Sequence, residues 1–129
     1  MTRRGMMMLE ALVAGTLLGT LLVVCLQLLS AAAAQRHAAD QRQCAILELA
    51  NVMERVAARP WAELTTAAVT QEKLSPSALD QLPGAELKLQ IYTDTTDPDA
   101  NRITATLRWQ DRGGQLVAPI KLTTWRFRI

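Results

Sequence analysis

The sequence predicts an α+β fold, in which one long N-terminal helix, half membrane-spanning and half amphipathic, packs on a small antiparallel sheet. Three observations carry this. An apolar run fills residues 6–29, a stretch free of Gly and Pro continues it to Arg59, and after Gly84 the hydrophobic period changes from helical to two. The 129 residues suit one small domain with an appendage.

Met6 to Leu29 is interrupted only by Glu10, Thr16, Thr20 and Gln27 among polar side chains. As a helix it is about 36 Å long, enough to cross a hydrocarbon core of about 30 Å with some tilt. Arg3 and Arg4 precede it, so the positive-inside rule puts that end in the cytoplasm and everything after about Ser30 outside it.

The stretch "SAAAAQRHAADQRQCAILELANVMERVAAR" is rich in helix formers. Ile46, Leu49, Ala50, Met53 and Ala57 form one apolar stripe, with Glu48, Asn51 and Arg55 on the opposite, free side. Arg59-Pro60 is the expected stop, because proline lacks the donor and pushes its predecessor out of the α region. One helix from Met6 to about Arg59 would be roughly 80 Å long.

Beyond it the signals are short. Ser75-Pro76 reads as an N-cap with proline at the first helical position, opening a brief helix to about Leu82. Pro83-Gly84 is a turn. "AELKLQIYT" places Leu87, Leu89 and Ile91 on one face, and "RITATLRWQ" does so with Ile103, Ala105, Leu107 and Trp109. "DRGGQ" at 111–115 is a hairpin connection. In the last run, Leu122 and Trp125 are three apart, which predicts a bulge or break near Pro119. Three strands with one apolar face need a cover, and the helical stripe from Ile46 to Ala57 is the expected one.

Composition excludes several classes. Net charge is +2, and without Arg3 and Arg4 the basic and acidic side chains balance, which is no footprint for nucleic acid. Cys25 and Cys44 on one helix would lie about 28 Å apart, beyond disulfide reach. His37 is the only histidine and is expected to be solvated. There is no nucleophile–base set, no phosphate loop and no CxxC, so neither an enzyme nor a cofactor is expected.

The opening "RRGMMMLEALVAGTLLG" resembles the class III signal of type IV pilins and pseudopilins, in which an apolar run follows a glycine and carries glutamate at its fifth position. The usual first residues of that run are phenylalanine, threonine and leucine; here they are Met6, Met7 and Met8. "ANVMERVAARPWAEL" and "ITATLRWQDRGGQLVAPIKLTTW" are similar to the minor pseudopilins of type II secretion, the I-subunit kind, and to related minor pilins. The resemblance implies a ladle-shaped protein. Its parts would be a cytoplasmic leader (1–5), a transmembrane half-helix (6–29), an amphipathic half-helix (30–59) and an extracytoplasmic region of small helices and sheet (60–129). It further implies cleavage by a prepilin peptidase between Gly5 and Met6, N-methylation of Met6, and a single-pass place in a bacterial inner membrane. Assembly with other pilin or pseudopilin subunits, through Glu10, would follow.

Elementary physics gives Glu10 a reason. A carboxylate at the bilayer centre costs roughly 2.5–3.5 kcal/mol on insertion scales. Cleavage would create an amine at Met6, one turn away on the same face. In a bundle, the carboxylate of one subunit meets the amine of a shifted neighbour, and burying the charges together costs less than burying either alone. The alternative is a carboxylate resting at headgroup depth. Ala11, Gly15 and Gly19 form a small-residue face that allows close helix approach in lipid. The loop "DTTDPDAN" offers Asp94, Asp97, Asp99 and Asn101 as oxygen ligands for calcium, which some major pseudopilins bind. Its spacing is not that of an EF-hand, and such residues are ordinary loop formers, so no metal is expected. The competing reading of the whole chain is a signal-anchored extracytoplasmic binding domain that does not polymerise.

Overall fold

The computed structural model describes residues 3–129. Its elements run α1 (Arg3–Ala57), a 3₁₀ turn (Trp61–Glu63), α2 (Thr66–Val69), α3 (Pro76–Gln81), β1 (Glu86–Thr93), β2 (Ala100–Arg108) and β3 (Ile120–Phe127). The chain divides into two units, Met1–Ala38 and Ala39–Ile129. The first is α1 alone, helical already at Arg3 rather than from Met6, and its described residues are exposed except for a half-buried His37. Residues 1 and 2 of the expected leader lie outside the described residues.

The second unit is a helix on a sheet. Strand order is β1-β2-β3, antiparallel throughout. Leu89 on β1, Ile103, Ala105 and Leu107 on β2, and Ile120 on β3 point into one core, joined by Trp109 just past β2. From α1 that core receives Ala45, Leu49, Val52, Met53 and Val56. The α+β arrangement and the covering role of the helix are as the sequence predicts.

The phase of the cover differs from the expected stripe. Leu49 and Met53 are buried as expected, but Ile46 is exposed, Ala50 and Ala57 are half-buried, and Val52 and Val56 are fully inside. The helix is rolled so that Ala45, Leu49, Val52 and Val56, spaced i, i+4, i+7 and i+11, face the sheet. The roll also brings Glu48 inside, against expectation. Its Oε1 accepts from the Ser75 backbone N–H at 2.7 Å and its Oε2 from the Ser75 hydroxyl at 2.9 Å. A charge is tolerated there because both oxygens are satisfied. Nearby, Gln41 Nε2 donates to the Gln81 carbonyl at 3.0 Å, so a polar residue closes each end of the α1–α3 contact.

The helix ends at Ala57, just before Arg59-Pro60, and the Ala58 N–H still reaches the Glu54 carbonyl. Ser75 caps α3, its hydroxyl accepting from the Ala78 N–H at 3.3 Å, with Pro76 in the first turn as expected. The 3₁₀ turn and α2, the latter capped by Thr65, are each too short to show a hydrophobic period in the sequence. Gly84 turns the chain into β1 at φ 62°, a conformation that favours glycine, and an added Cβ would push aside the Gln110 side chain 2.9 Å away. In the 111–115 connection, Asp111 Oδ1 accepts from the Gly113 and Gln115 N–H groups, and Gly114 takes φ 75°.

No bulge occurs in β3. Its register against β2 runs unbroken from Ala100↔Phe127 to Leu107↔Ile120. Pro119 marks a break only, since the strand begins at the next residue. Leu122 lies on the core side and Trp125 on the outer face, which accounts for their odd spacing.

Arg55 is exposed as expected but not free. Its Nε lies 3.3 Å from Glu72 Oε2, and it donates to the Lys73 carbonyl at 3.2 Å. Arg59 also donates to Glu72. Burial raises the Glu72 pKa, but the hydrogen bonds and charges of Arg59 and Arg55 outweigh it and hold the carboxyl below its usual range.

Every buried residue in the described chain lies at or after Gln41. A fragment beginning near Gln35 should therefore be soluble and folded by circular dichroism, whereas the same fragment with Leu49→Asp should not fold. Glu48→Ala leaves the half-buried Ser75 N–H without its acceptor and should cost about 1 kcal/mol or more in denaturant unfolding. Because the Glu72 pKa is lower in the folded than in the unfolded state, its contribution is full above the unfolded value of about 4.3. It is lost as pH falls through the folded value. Glu72→Gln should flatten the decline in unfolding midpoint below about pH 5 that the parent fragment shows.

Candidate assembly site

The residues singled out at the N-terminus all lie on one uninterrupted helical stretch. Gly5 is in the opening turn of α1, where the first N–H groups have no intrahelical acceptor and the backbone unwinds most easily. Met6 and Glu10 are i and i+4 on that helix, one turn apart, and both are exposed. No described side chain forms a hydrogen bond or ion pair with Glu10. Among the described residues, the side-chain bonds in this part are the helix's own, from Thr16 to the Val13 carbonyl and from Thr20 to the Thr16 carbonyl.

Ala11, Gly15 and Gly19 fall at i, i+4 and i+8, all exposed. A Cβ added at either glycine would meet nothing within 4 Å. Nothing in the described chain requires glycine there, although each costs roughly 0.5–1 kcal/mol against alanine in a helix interior. Around them Leu9, Leu12, Leu17, Leu18, Leu21 and Leu22 are about three-fifths exposed or more. The stretch is long and apolar enough to cross a membrane, and none of it is buried against the rest of the chain.

The acidic loop uses its side chains on its own backbone. Asp94 Oδ1 accepts from the Thr96 N–H at 2.9 Å, and Asp97 Oδ1 from the Asp99 N–H at 3.1 Å. These are the turn-forming bonds that Asx residues supply. Asp99 instead faces Arg128, with 4.0 Å between Oδ1 and Nη1. Asn101 is drawn into β2 and buried, its Oδ1 without a partner among the described residues. Among those residues no three His, Cys, Asp or Glu side chains come together where a metal could be held.

Cys25 is exposed and Cys44 half-buried, and both thiols are free. Burial, and then the Glu48 charge, push the Cys44 thiol up, so it is the less reactive form at neutral pH.

A feature that sequence inspection missed lies on the outer face of the sheet. Tyr92, Arg102 and Trp125 stand side by side on the three strands. The Arg102 guanidinium carbon is 5.0 Å from the Tyr92 ring centre and 5.8 Å from that of Trp125, within cation–π range. The alternation alone puts each residue on the polar face; only the strand register makes them neighbours.

Comparison with family models, with characterised proteins and with solved structures finds no match.

With Asp94 and Asp97 occupied by turns and Asp99 facing Arg128, the loop should not respond to calcium. The unfolding midpoint of the chain should be the same in millimolar calcium as in chelator, since a ligand raises it only by binding the folded state. An upward shift abolished by Asp97→Asn would assign the loop a cation.

Proposed function

We propose that this chain is a non-enzymatic structural subunit of a type II secretion pseudopilus or a type IV pilus-like filament. It is made with a short cytoplasmic leader, cut between Gly5 and Met6 by a prepilin peptidase and methylated at Met6. It sits as a single-pass protein of a bacterial inner membrane, with the unit from Ala39 onward on the extracytoplasmic side. One observation supports this above the rest. Glu10 stands four residues after Met6 on an apolar helix that its own chain leaves uncovered.

The chemistry is that of assembly. Removal of the leader leaves a cationic amine at Met6, and the helix N-terminus favours a carboxylate nearby. In a bundle of such helices Glu10 neutralises the amine of an axially shifted neighbour, while Ala11, Gly15 and Gly19 let backbones approach. The apolar side chains, exposed in a single chain, become the packing surface of the filament core. The sheet unit, whose core is complete in itself, is left to face partner subunits.

Processing gives the first test. Co-expression with a prepilin peptidase should shorten the chain by the five leader residues, with Met6 as the new N-terminus on sequencing. Gly5→Arg should leave it membrane-inserted and uncut. A start at Met1 or Thr2 despite the peptidase would favour the anchored domain instead, and a start near Ala34 a secreted one. The second test is Glu10→Leu. Insertion should be at least as efficient, because a charge is removed from the apolar segment. Cleavage should persist, and crosslinking to sister subunits should fall. Undiminished crosslinking would return Glu10 to a passive place at headgroup depth.

A further inference from the structure

The sheet has two edge strands, and β3 is the one without a helix packed against it. β2 is paired on both sides, and α2 packs against β1. β3 pairs only with β2, and no other backbone bond from Ile120–Phe127 occurs among the described residues. Every second residue of this eight-residue strand therefore turns a free N–H and C=O outward, the template that an added strand uses.

A groove of about 660 Å³ follows this edge along its C-terminal half, walled by Ala57, Trp61 and the segment 124–129. Core-side Thr124 and Arg126 line it together with outer-face Trp125 and Phe127, so it tracks the rim of the sheet rather than either face. Trp125 and Phe127 are about half exposed or more, an apolar surface beside unpaired backbone.

Charge selects what fits. From Ile120 to Ile129 the side chains include Lys121, Arg126 and Arg128 and no carboxylate. The β2 residues opposite Lys121, Thr123 and Trp125 are Thr106, Thr104 and Arg102, which add no anion. Only Asp99 approaches, and its contact with Arg128 is long and well exposed. A second copy of β3 brings like net charge to like, which disfavours pairing, whereas an acidic strand brings opposite charge to the Lys121 and Arg126–Arg128 ends of the edge.

We propose that the free edge of β3 receives, by strand addition, an extended acidic segment of a partner protein, with alternate apolar residues seated on the core side of the groove against Trp61. This does not depend on the filament reading, since an anchored domain that never polymerises would carry the same edge.

The test uses the full chain in detergent micelles and an eight-residue peptide of alternating Glu and Val as probe. Two controls are the same peptide with Lys for Glu, and one with a central Pro. Hydrogen exchange followed by mass spectrometry reads the backbone of residues 120–127. The Glu peptide should slow exchange there by about tenfold or more at saturation, and neither control should. Lys121→Glu with Arg128→Glu, both exposed, should reverse the preference toward the Lys peptide. Unchanged protection of 103–107 would verify that this variant is folded. Absence of protection by the Glu peptide would overturn the proposal. So would equal protection by either control, or protection that rises with protein concentration alone, which would mean that a second copy occupies the edge.

Discussion

The second unit depends on burying one face of a three-stranded sheet under one face of α1. A sheet of this size has too little apolar surface to stand alone, and three strands become stable only when packed on something. Leu49, Val52 and Val56 are fully excluded from water, as are Ile103, Ala105 and Leu107 on the central strand. At about 1.5–3 kcal/mol for each large side chain, this layer is the main favourable contribution, and β1 and β3 are held because β2 is held. The short helices extend it: Leu64, Val69, Leu74, Ala78 and Leu82 enter the same cluster from the segment between α1 and the sheet.

Polar groups fix where that segment lies. Glu48 binds both the backbone and the hydroxyl of Ser75, and the same hydroxyl caps α3. The start of α3 is therefore tied to a single position on α1. Glu72 does the same one step earlier through Arg55 and Arg59. Apolar packing is non-directional, and these bonds supply the direction that it lacks. The N-terminal part of α1 has no counterpart to either. Its side chains have no core to enter within the chain, and its one carboxylate before Asp40 has no partner among the described residues. This stretch is long and apolar enough to cross a membrane.

The sequence by itself determined the elements with strong local signals. The apolar run and its Gly- and Pro-free continuation are one helix because helix formers and length leave no alternative. Ser75-Pro76, Pro83-Gly84 and Asp111–Gln115 are a cap, a turn and a connection because each uses backbone chemistry peculiar to those residues. Alternation placed Leu87, Leu89, Ile91, Ile103, Ala105 and Leu107 on the core side. The glycine–glutamate spacing behind Gly5, Met6 and Glu10 is likewise linear in the chain and needs no coordinates to be read.

Tertiary structure alone decided the rest. In a helix where Ala45, Ile46, Leu49, Ala50, Val52, Met53 and Val56 are all apolar, the stripe can be drawn in more than one phase. The choice falls to what waits on the other side, and Ser75, 27 residues away, turned Glu48 inward. Trp125 gave a false sign of a bulge because its exposure reflects an aromatic neighbourhood with Arg102 that exists only once the strands are in register. Asp94 and Asp97 offered ligand oxygens on paper, but the loop folded them onto their own amides. In each case the deciding partner is distant in sequence or is the backbone itself, and neither is visible to a reading based on side-chain periodicity.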